Sequence, residues 1–306
     1  MKILDLKRRV LSSLKKVIQT DKTMILGISG GPDSMLLLEL LKDQKIVVCH
    51  VNYNKRTNSM DDELIVKKYC EINQIPFFVK SIKKHHNKGN FQTIARNQRY
   101  DFFNKIANKF HTDILVLAHH KDDFLETAIM LEQTKRKTNF YGIKKNNTVF
   151  NLFVFRPFIN LVWKKQILNI NQLNKIPYGL DYTNYENIYT RNIIRNALLK
   201  ESLYDKGLLL KRYLKMNKKL ILEQQKINET LLLWKSQNYA QEFLLDQKDI
   251  ATSLIFELIN QNFDHVNLTS GKLENIYKFI ISNNRTSVYK LDNNYCLIKK
   301  RGCLIL

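Results

Sequence analysis

A glycine-rich turn near the start of the chain has the residue types and spacing of a phosphate-binding loop. It consists of Ser29, Gly30, Gly31, Pro32, Asp33 and Ser34. Apolar runs over residues 24–26 and 35–41 flank the turn, which predicts a strand, a turn and a buried helix in succession. Glycines let the backbone approach an anion, and the N–H groups and dipole at a helix start favour phosphate. We expect Ser34 to cap this helix.

The same turn has other interpretations. Gly-Gly-Pro-Asp also suits an ordinary tight turn on any scaffold. The turn is not a Walker A loop, because no Gly-Lys-Ser/Thr follows it, and it lacks the Gly-x-Gly-x-x-Gly spacing of dinucleotide-binding proteins. The turn alone favours nucleotide binding, and the rest of the chain has to decide the question.

A second group of chemically active residues follows an apolar segment at residues 113–118. It contains His119, His120, Lys121, Asp122, Asp123 and Glu126. Asp123 and Glu126 are three residues apart and share one side of the first turn of a predicted helix. Acidic residues favour any helix start, which explains the carboxylates but not the paired histidines. Near a triphosphate, the carboxylates of this group are candidates for binding Mg²⁺. A zinc site at the histidines and aspartates is the lower-ranked alternative.

Predicted strands and helices alternate along the first 200 residues, and they position the two groups of residues described above. We predict strands at residues 24–28, 46–51, 76–79 and 113–118, and helices at 3–18, 34–43, 61–73, 92–110 and from about 122. Continuously apolar strands separated by helices predict an α/β fold with a doubly wound parallel sheet. Ligands of such sheets bind beyond the carboxyl ends of the strands, where both the glycine turn and the acidic group are expected.

The last third of the chain has a different pattern. Residues 190–236 are predicted to be almost wholly helical and strongly basic, residues 250–282 to form two further helices, and residues 287–306 to form a short hairpin and a last strand. We therefore predict an α/β domain that carries the glycine turn at residues 1–205 and a smaller, mainly helical domain at residues 206–306.

Charge and cysteine content limit the function further. The chain has 306 residues, with 50 Lys and Arg against 28 Asp and Glu, a formal net charge of +22. Clustered basic residues favour a polyanionic partner, with nucleic acid as the first choice, although a drift in composition towards Lys, Asn and Ile could also inflate the charge.

None of the four cysteines forms a Cys-x-x-Cys pair, so a zinc ribbon or redox dithiol is not expected. With no apolar run of membrane-spanning length and no signal-peptide core, we expect a soluble, cytoplasmic protein without a membrane partner.

Six motifs in a fixed order resemble one enzyme family, the bacterial tRNA(Ile)-lysidine synthetases, within the N-type ATP pyrophosphatase (PP-loop) superfamily. The motifs are Ser-Gly-Gly-x-Asp-Ser at residues 29–34, His-Val-Asn at 50–52, Ala-Arg-x-x-Arg-Tyr at 95–100, His-His-x-Asp-Asp-x-x-Glu-Thr at 119–127, Arg-Pro at 156–157, and Asp-x-Thr-Asn at 181–184 followed by Arg-Asn-x-x-Arg at 191–195. The sequence departs from the family at Tyr53, where a histidine is usual, and at residues 134–140, where the family has a glycine-rich loop.

The resemblance implies a two-step reaction on RNA. ATP adenylates the C2 carbonyl oxygen of the wobble cytidine of a tRNA(Ile) with a CAU anticodon. The ε-amino group of free L-lysine then displaces AMP at C2 and gives lysidine, so that the tRNA decodes AUA in place of AUG. The implied requirements are ATP, Mg²⁺, lysine and the tRNA, with no protein partner. Asp33 and Asp123 are the residues assigned to Mg²⁺.

The resemblance also implies roles for individual residues. Those assigned to ATP are Ser29, Gly30, Gly31, Pro32, Asp33, Ser34, His50, Asn52 and Arg96. Those assigned to catalysis are Asp33, Asp122, Asp123, Glu126 and His119, of which Asp122, Glu126 and His119 remain alternatives for removing the proton of the lysine amine. Arg191 and Arg195 are assigned to tRNA. Lys211 and Lys215 are predicted to bind tRNA because they belong to the basic run of the C-terminal domain, and not because of the resemblance. Lys121 and Arg96 are expected to stabilise phosphate charge.

Two further classes of protein remain as alternatives. A tRNA thiolase shares the loop and the base adenylation, but it needs cysteines to carry sulfur. A non-catalytic tRNA-binding relative would keep the basic surface without turnover, and replacement of Asp33 would distinguish it from an enzyme.

Overall fold

The computed structural model describes residues 2–18, 21–53, 59–82, 91–134, 138–179, 190–263 and 266–305. The predicted Asp-x-Thr-Asn motif at residues 181–184 lies outside these ranges. Two compact units are present, Met1–Leu214 and Lys215–Leu306. The domain boundary predicted between residues 205 and 206 remains a prediction.

The first unit is built around a six-stranded sheet with helices between its strands. Its elements in chain order are α1 (Ile3–Lys15), β1 (Met24–Gly27), α2 (Pro32–Leu41), β2 (Ile46–Asn52), α3 (Ser59–Ile72), β3 (Phe77–Ser81), α4 (Phe91–Lys109), β4 (Ile114–Val116), α5 (Lys121–Gln133), β5 (Asn146–Val149), β6 (Leu152–Phe155), a 3₁₀ turn (Pro157–Asn160), α6 (Lys164–Leu173) and α7 (Thr190–Lys200), after which α8 (Leu203–Ser236) begins. The predicted strands and helices of this region are confirmed, with small shifts at their ends.

The sheet has the strand order β3-β2-β1-β4-β6-β5. All neighbouring strands are parallel except β5, which pairs antiparallel with β6 at the edge. Successive side chains of a strand point to opposite faces, and both faces of this sheet are covered. Leu26 belongs to the core cluster that contains α1, α2 and α6, whereas its neighbour Ile25 belongs to the cluster formed with α4. The predicted doubly wound α/β fold is confirmed.

The order in which successive strands are added to the sheet reverses at β1, between β1 and its parallel neighbour β4. Strands β1, β2 and β3 extend the sheet to one side, and the chain then returns through α4 to place β4 against the other side of β1. Leu26 of β1 aligns with Val116 of β4. The segments that follow these two strands therefore leave the sheet side by side, at the kind of switch point where α/β proteins bind ligands.

The second unit contains the rest of α8 and a small helical core. It continues with α9 (Gln241–Asp246), α10 (Ala251–Asn262) and α11 (Ser270–Ile281), and ends with the antiparallel strands β7 (Ser287–Lys290), β8 (Cys296–Lys300) and β9 (Cys303–Ile305). Trp234 is fully buried in this core, and its indole N–H donates to the Ala240 carbonyl at 2.8 Å. The predicted helical C-terminal region and terminal strands are confirmed, and α9 is an addition to them. Among the described residues, no helix combines the length and the apolar character needed to cross a bilayer.

Candidate functional site

The glycine loop between β1 and α2 is closed by its two serines. The Ser34 hydroxyl donates to the Gly31 carbonyl at 2.9 Å and accepts from the Ser29 N–H at 3.2 Å. The prediction that Ser34 caps the helix is wrong: Gly31 is the N-cap, and Pro32 is the first helical residue. Proline suits this position because its φ is already helical and its missing N–H is not needed there. Ser34 instead ties together the two ends of the loop.

Gly30 occupies a backbone conformation that other residues avoid. Its φ is +88°, and a Cβ atom placed on it would lie 2.9 Å from both the Cβ and the carbonyl oxygen of Asp62. The Gly30 carbonyl also accepts a hydrogen bond from the N–H of Gly179 at 2.9 Å. The loop conformation therefore depends on glycine at this position, for both torsional and steric reasons.

Substitution of Gly30 by alanine is expected to destabilise the first unit by at least about 1–2 kcal/mol, the cost of a left-handed residue before any clash is counted. Gly31→Ala is the matched control, since its φ is −74° and the nearest atom to an added Cβ is the Ser29 hydroxyl at 3.6 Å. We expect the control to cost less than about 1 kcal/mol. Urea unfolding of both variants measures the difference, and equal stabilities would contradict the steric argument.

His120 lies between the glycine loop and the acidic group. Its Nε2 atom is 3.6 Å from Oδ1 of Asp33 and 3.4 Å from Oδ2 of Asp123, and its Nδ1 atom is 3.5 Å from Oδ2 of Asp122. Burial opposes a charge on the ring, but the carboxylates of Asp123, Asp33 and Asp122 outweigh it and raise the pKa of His120 to about 9. The structure thus brings Asp33 and Asp123 to the same imidazole, as the switch-point argument predicts.

The raised pKa of His120 predicts a loss of stability at alkaline pH. Its value in the unfolded chain is near 6.5, so the stabilisation is complete below that pH and disappears as the pH passes about 9. This change amounts to about 3 kcal/mol. The stability difference between the wild type and His120→Gln, measured by urea unfolding from pH 6 to 9.5, should therefore shrink as the pH rises. A difference that stays constant across this range would show that His120 is not charged in the folded protein.

Asp123 caps the helix on which it lies. Its Oδ2 accepts the backbone N–H of His120 at 2.9 Å, and its Oδ1 accepts from Nη2 of Arg191 at 3.2 Å. Burial would raise the pKa of Asp123, but the nearby histidines and Arg191 lower it to about 2. Asp123 is therefore an ionised carboxylate at neutral pH, with the adjacent Asp33 as its counterpart on the glycine loop.

Asp122 holds the beginnings of α6 and α8. Its Oδ1 accepts from the ammonium group of the buried Lys206 at 2.6 Å, and its Oδ2 accepts the backbone N–H of Lys164 at 2.7 Å. Burial opposes ionisation of Asp122, but His120, Lys206 and Lys164 together lower its pKa. The carboxylate is fully occupied by contacts within the protein.

Glu126 is paired with both arginines of α7. Its side chain is 2% exposed. Its Oε2 accepts from Nε of Arg191 at 2.7 Å and from Nη2 of Arg195 at 3.0 Å, and its Oε1 accepts from Nε of Arg195 at 2.7 Å. The two arginines predicted to bind tRNA are thus located at the acidic group, and Glu126 orients them.

Lys164 is a member of the site that the sequence interpretation missed. Its ammonium group donates to both carboxylate oxygens of Asp33, each at 2.7 Å. No sequence spacing connects the two residues, which are 131 positions apart. Lys206 was missed for the same reason. Both lysines could be recognised only from the fold, because lysine is abundant throughout this chain.

The pKa of His119 is shifted in the opposite direction from that of the neighbouring His120. Burial lowers its pKa to about 4, so the ring is neutral at physiological pH. Its Nδ1 atom is buried and has no hydrogen-bond partner within the described part of the chain. A buried, unpaired ring nitrogen is uncommon in folded proteins and marks a place where a bound group can be accommodated.

The other residues predicted to bind ATP lie on β2 and α4. The Nδ1–H of His50 donates to the Ile28 carbonyl at 2.9 Å, and burial lowers the pKa of this ring. The Asn52 amide donates to Oε2 of Glu63 at 2.9 Å. The guanidinium of Arg96 lies over the ring of Tyr100, 4.8 Å from its centroid. His50 and Asn52 are therefore fixed at the end of the strand beside β1, whereas the geometry does not join Arg96 directly to the glycine loop.

The lysines predicted to contact phosphate or tRNA are Lys121, Lys211 and Lys215, and their surroundings differ. Lys121 lies over the ring of Trp163 at 5.1 Å, and Lys206 lies 5.2 Å from the same ring. Lys211 and Lys215 are exposed on α8, with Lys215 beginning the second unit. Neither is part of the ion-pair network around the acidic group.

The carboxylates of Asp33 and Asp123 suit a magnesium ion. They are hard oxygen donors that converge on one imidazole nitrogen, and Mg²⁺ typically uses one or two carboxylates together with substrate phosphates. Within the described ranges, no group of three or more His, Cys, Asp or Glu side chains has the geometry of a metal site. A magnesium ion here would complete its ligand shell with water and phosphate oxygens.

Comparisons with known proteins assign the fold and the family. The chain matches a PP-loop domain family model over residues 4–202. It is 41% identical to the tRNA(Ile)-lysidine synthase of Mycoplasmopsis pulmonis over 280 residues, which cover 90% of this chain and 96% of the relative. It is 38% identical to that of Mesomycoplasma hyopneumoniae over 286 residues, which cover 93% and 95% of the two chains.

A solved structure supports the fold independently. The U34-tRNA thiolase NcsA from Methanococcus maripaludis with its 4Fe-4S cluster superimposes with a TM-score of 0.57 at 18% identity, over 71% of this chain and 78% of the thiolase. At this identity the likeness concerns the fold alone. The family model, the extent of the two sequence matches and the PP-loop fold together establish that the chain belongs to the tRNA(Ile)-lysidine synthase family.

Proposed function

We propose that this protein is a tRNA(Ile)-lysidine synthase. In the first step, the C2 carbonyl oxygen of the wobble cytidine attacks the α-phosphorus of ATP, and pyrophosphate leaves. In the second step, the ε-amino group of free L-lysine attacks C2, and the bond from C2 to the AMP oxygen breaks. The observation that carries this proposal is the meeting of the glycine loop and the histidine–acid group at one imidazole, in a chain that belongs to this family.

ATP use follows from the PP-loop family, and the residues that contact ATP are part of the proposal. The loop closed by Ser29 and Ser34 would present its N–H groups to the departing pyrophosphate. His50 and Asn52 would lie beside the adenosine, and Arg96 would contribute positive charge nearby. Asp33 and Asp123 would hold Mg²⁺, which supplies neutralisation of phosphate charge when bound.

The lysine amine has to lose protons, and His119 is the best-placed residue to receive one. Asp122 and Glu126 each contact two cationic residues, so we assign them to holding α6, α7 and α8 in place. His119 is neutral and has an unpaired Nδ1 atom. Once the amine has attacked C2, its nitrogen becomes strongly acidic, and a weak base is then sufficient to accept the proton.

The RNA is expected to meet the site through cations of the first unit and of α8. The Arg191 side chain is 41% exposed although it is paired with Glu126, so it remains accessible to a base or phosphate. The exposed Lys211 and Lys215 and the net charge of +22 favour salt-dependent backbone contacts. Recognition of the CAU anticodon, a cytoplasmic location and activity without a protein partner are further parts of the proposal.

The cysteines argue against sulfur transfer at this site. Cys49 and Cys70 of the first unit are buried, and burial raises the pKa of Cys70 to about 12 and that of Cys49 further. A reactive thiol needs a low pKa and access to solvent. These thiols fit a role in packing better than one in carrying sulfur.

The test is incorporation of radiolabelled lysine into unmodified tRNA(Ile) bearing a CAU anticodon, with and without ATP. ATP-dependent labelling that disappears when the wobble cytidine is replaced would support both the reaction and the target. Pyrophosphate release on tRNA without labelling would retain base adenylation and assign the second step to another nucleophile. Absence of both would overturn the proposal.

A further inference from the structure

One lysine is aimed at the glycine loop from a different element of the fold. Lys164 is the first residue of α6, and its ammonium group donates to both oxygens of Asp33 at 2.7 Å. The loop contributes Asp33 at the second position of α2, immediately after the N-cap Gly31 and Pro32. The ammonium group therefore lies beside the helix start at which a phosphate would bind.

We propose that Lys164 is a phosphate-binding residue that pairs with Asp33 in the free protein and contacts the triphosphate when Mg²⁺ and ATP are bound. This inference rests on the proposed use of ATP at the glycine loop. It assigns to Lys164 two successive anionic partners, first a carboxylate and then a phosphate.

The main chain around Lys164 is fixed, so its side chain can change partner without movement of the helix. The N–H of Lys164 donates to Oδ2 of Asp122 at 2.7 Å. Two turns further along α6, the fully buried Asn171 donates its amide to the Pro32 carbonyl at 2.8 Å. These two bonds attach α6 to the acidic group and to the first residue of α2. The flexible four-carbon side chain of Lys164 is thus tethered next to the loop.

The side chain of Lys164 is more exposed to solvent than that of the neighbouring Lys206. The Lys164 and Asp33 side chains are 31% and 28% exposed, so a ligand can reach both. Lys206, in contrast, is 6% exposed and enclosed with Asp122. A part-exposed ion pair contributes little net stability, and its exchange for another anion is correspondingly easy.

Binding of a divalent cation to Asp33 provides the reason for the exchange. The cation and the Lys164 ammonium use the same carboxylate oxygens, and a doubly charged ion is the stronger competitor. The displaced ammonium group then needs another anion, and the triphosphate brings several. Lysine binds phosphate as a compact point charge and needs no fixed bidentate geometry for it.

A purely structural role for Lys164 predicts a different result. If Lys164 serves only as the counter-ion of Asp33, its removal frees the carboxylate for Mg²⁺, and affinity for the nucleotide stays the same or rises. If Lys164 contacts the triphosphate, its removal weakens binding of nucleotide and pyrophosphate but leaves binding of adenosine unchanged.

The experiment is calorimetric titration of the full chain with α,β-methylene-ATP, inorganic pyrophosphate or adenosine, each with Mg²⁺. Lys164→Ala is expected to weaken binding of the first two about tenfold to a hundredfold, the effect of losing one charge-assisted contact, and to leave adenosine binding unchanged. Lys165→Ala is the matched control, because Lys165 is the next residue and is exposed. Lys164→Arg should retain part of the affinity, since it keeps the charge.

Each outcome has a distinct meaning. Unchanged or tighter binding of the analogue by Lys164→Ala, with normal binding by the wild type, overturns the inference and leaves the proposed function intact. Failure of the wild type to bind the analogue overturns the proposed use of ATP. If Lys164→Ala does not fold, as judged by circular dichroism, Lys164→Met keeps most of the aliphatic stem and is subject to the same two criteria.

Discussion

Replacement of Asp33 by asparagine is expected to reduce lysine incorporation by about a hundredfold to a thousandfold, while the affinity for tRNA stays within about twofold of the wild type. Asp33 pairs with Lys164 and faces His120, at the junction of the glycine loop and the acidic group. Asparagine has the same shape but no charge, so it would weaken magnesium binding beside the reacting phosphate. Single-turnover labelling and filter binding of tRNA measure the two quantities separately.

Asp43→Asn is the control for this prediction. Asp43 is also an aspartate in an ion pair, with Lys7, but its side chain is 60% exposed and it lies after the end of α2. We expect its replacement to change neither labelling nor tRNA affinity. A non-catalytic tRNA-binding protein would tolerate Asp33→Asn as well as it tolerates Asp43→Asn, and that result would remove the enzymatic interpretation.

The sequence predicted the site to the extent that topology alone could position it. Apolar runs such as residues 46–51 identify strands buried on both faces, and alternation with helices implies a parallel sheet. The carboxyl ends of parallel strands share one edge, which is why Asp33 and Asp123 could be expected near each other although they are far apart in the chain. That argument needs only the order of elements and no knowledge of side-chain contacts.

The cations that pair with the acidic residues could not be predicted in the same way. Lys164 and Lys206 are two of 50 basic residues, and nothing in their local sequence distinguishes them. Their roles depend on how α6 and α8 dock beside α5, which is a property of tertiary packing. Arg191 and Arg195 were identified from a motif, but their pairing with Glu126 was not expected.

Two turns of the structure differ from what the usual residue preferences of helix caps and hairpins predict. Ser34 was expected to be a cap because serine favours that position, but Pro32 at the first helical position and Gly31 before it were the stronger indications. The β5–β6 hairpin was missed because its turn residues are Phe150 and Asn151, with φ values of 50° and 64°. Two successive positive φ values usually require Asn-Gly or Asp-Gly, so the usual sequence pattern of such a hairpin is absent.

Replacement of Glu126 by glutamine is expected to destabilise the first unit by about 2–3 kcal/mol. Removal of one partner from a buried ion pair costs about 3–5 kcal/mol because it leaves an uncompensated charge. Here the Glu126 carboxylate is almost completely buried, but Arg191 and Arg195 are 41% and 29% exposed, and hydration of their guanidinium groups lowers the cost. Urea unfolding measures the overall effect. Hydrogen exchange should show faster exchange of α7 amides, because Glu126 accepts hydrogen bonds from both arginines of α7.

Glu132→Gln provides a control on the same helix. Glu132 also accepts two bonds, from Arg212 and from the Tyr213 hydroxyl, but its side chain is 35% exposed. Its replacement should cost less than about 1 kcal/mol, since exposed pairs contribute little, and should leave α7 amides unaffected. If Glu126→Gln were as stable as Glu132→Gln and α7 exchange did not change, helix packing alone would hold α7. The arginines would then be free to leave Glu126 for RNA at no cost to the fold.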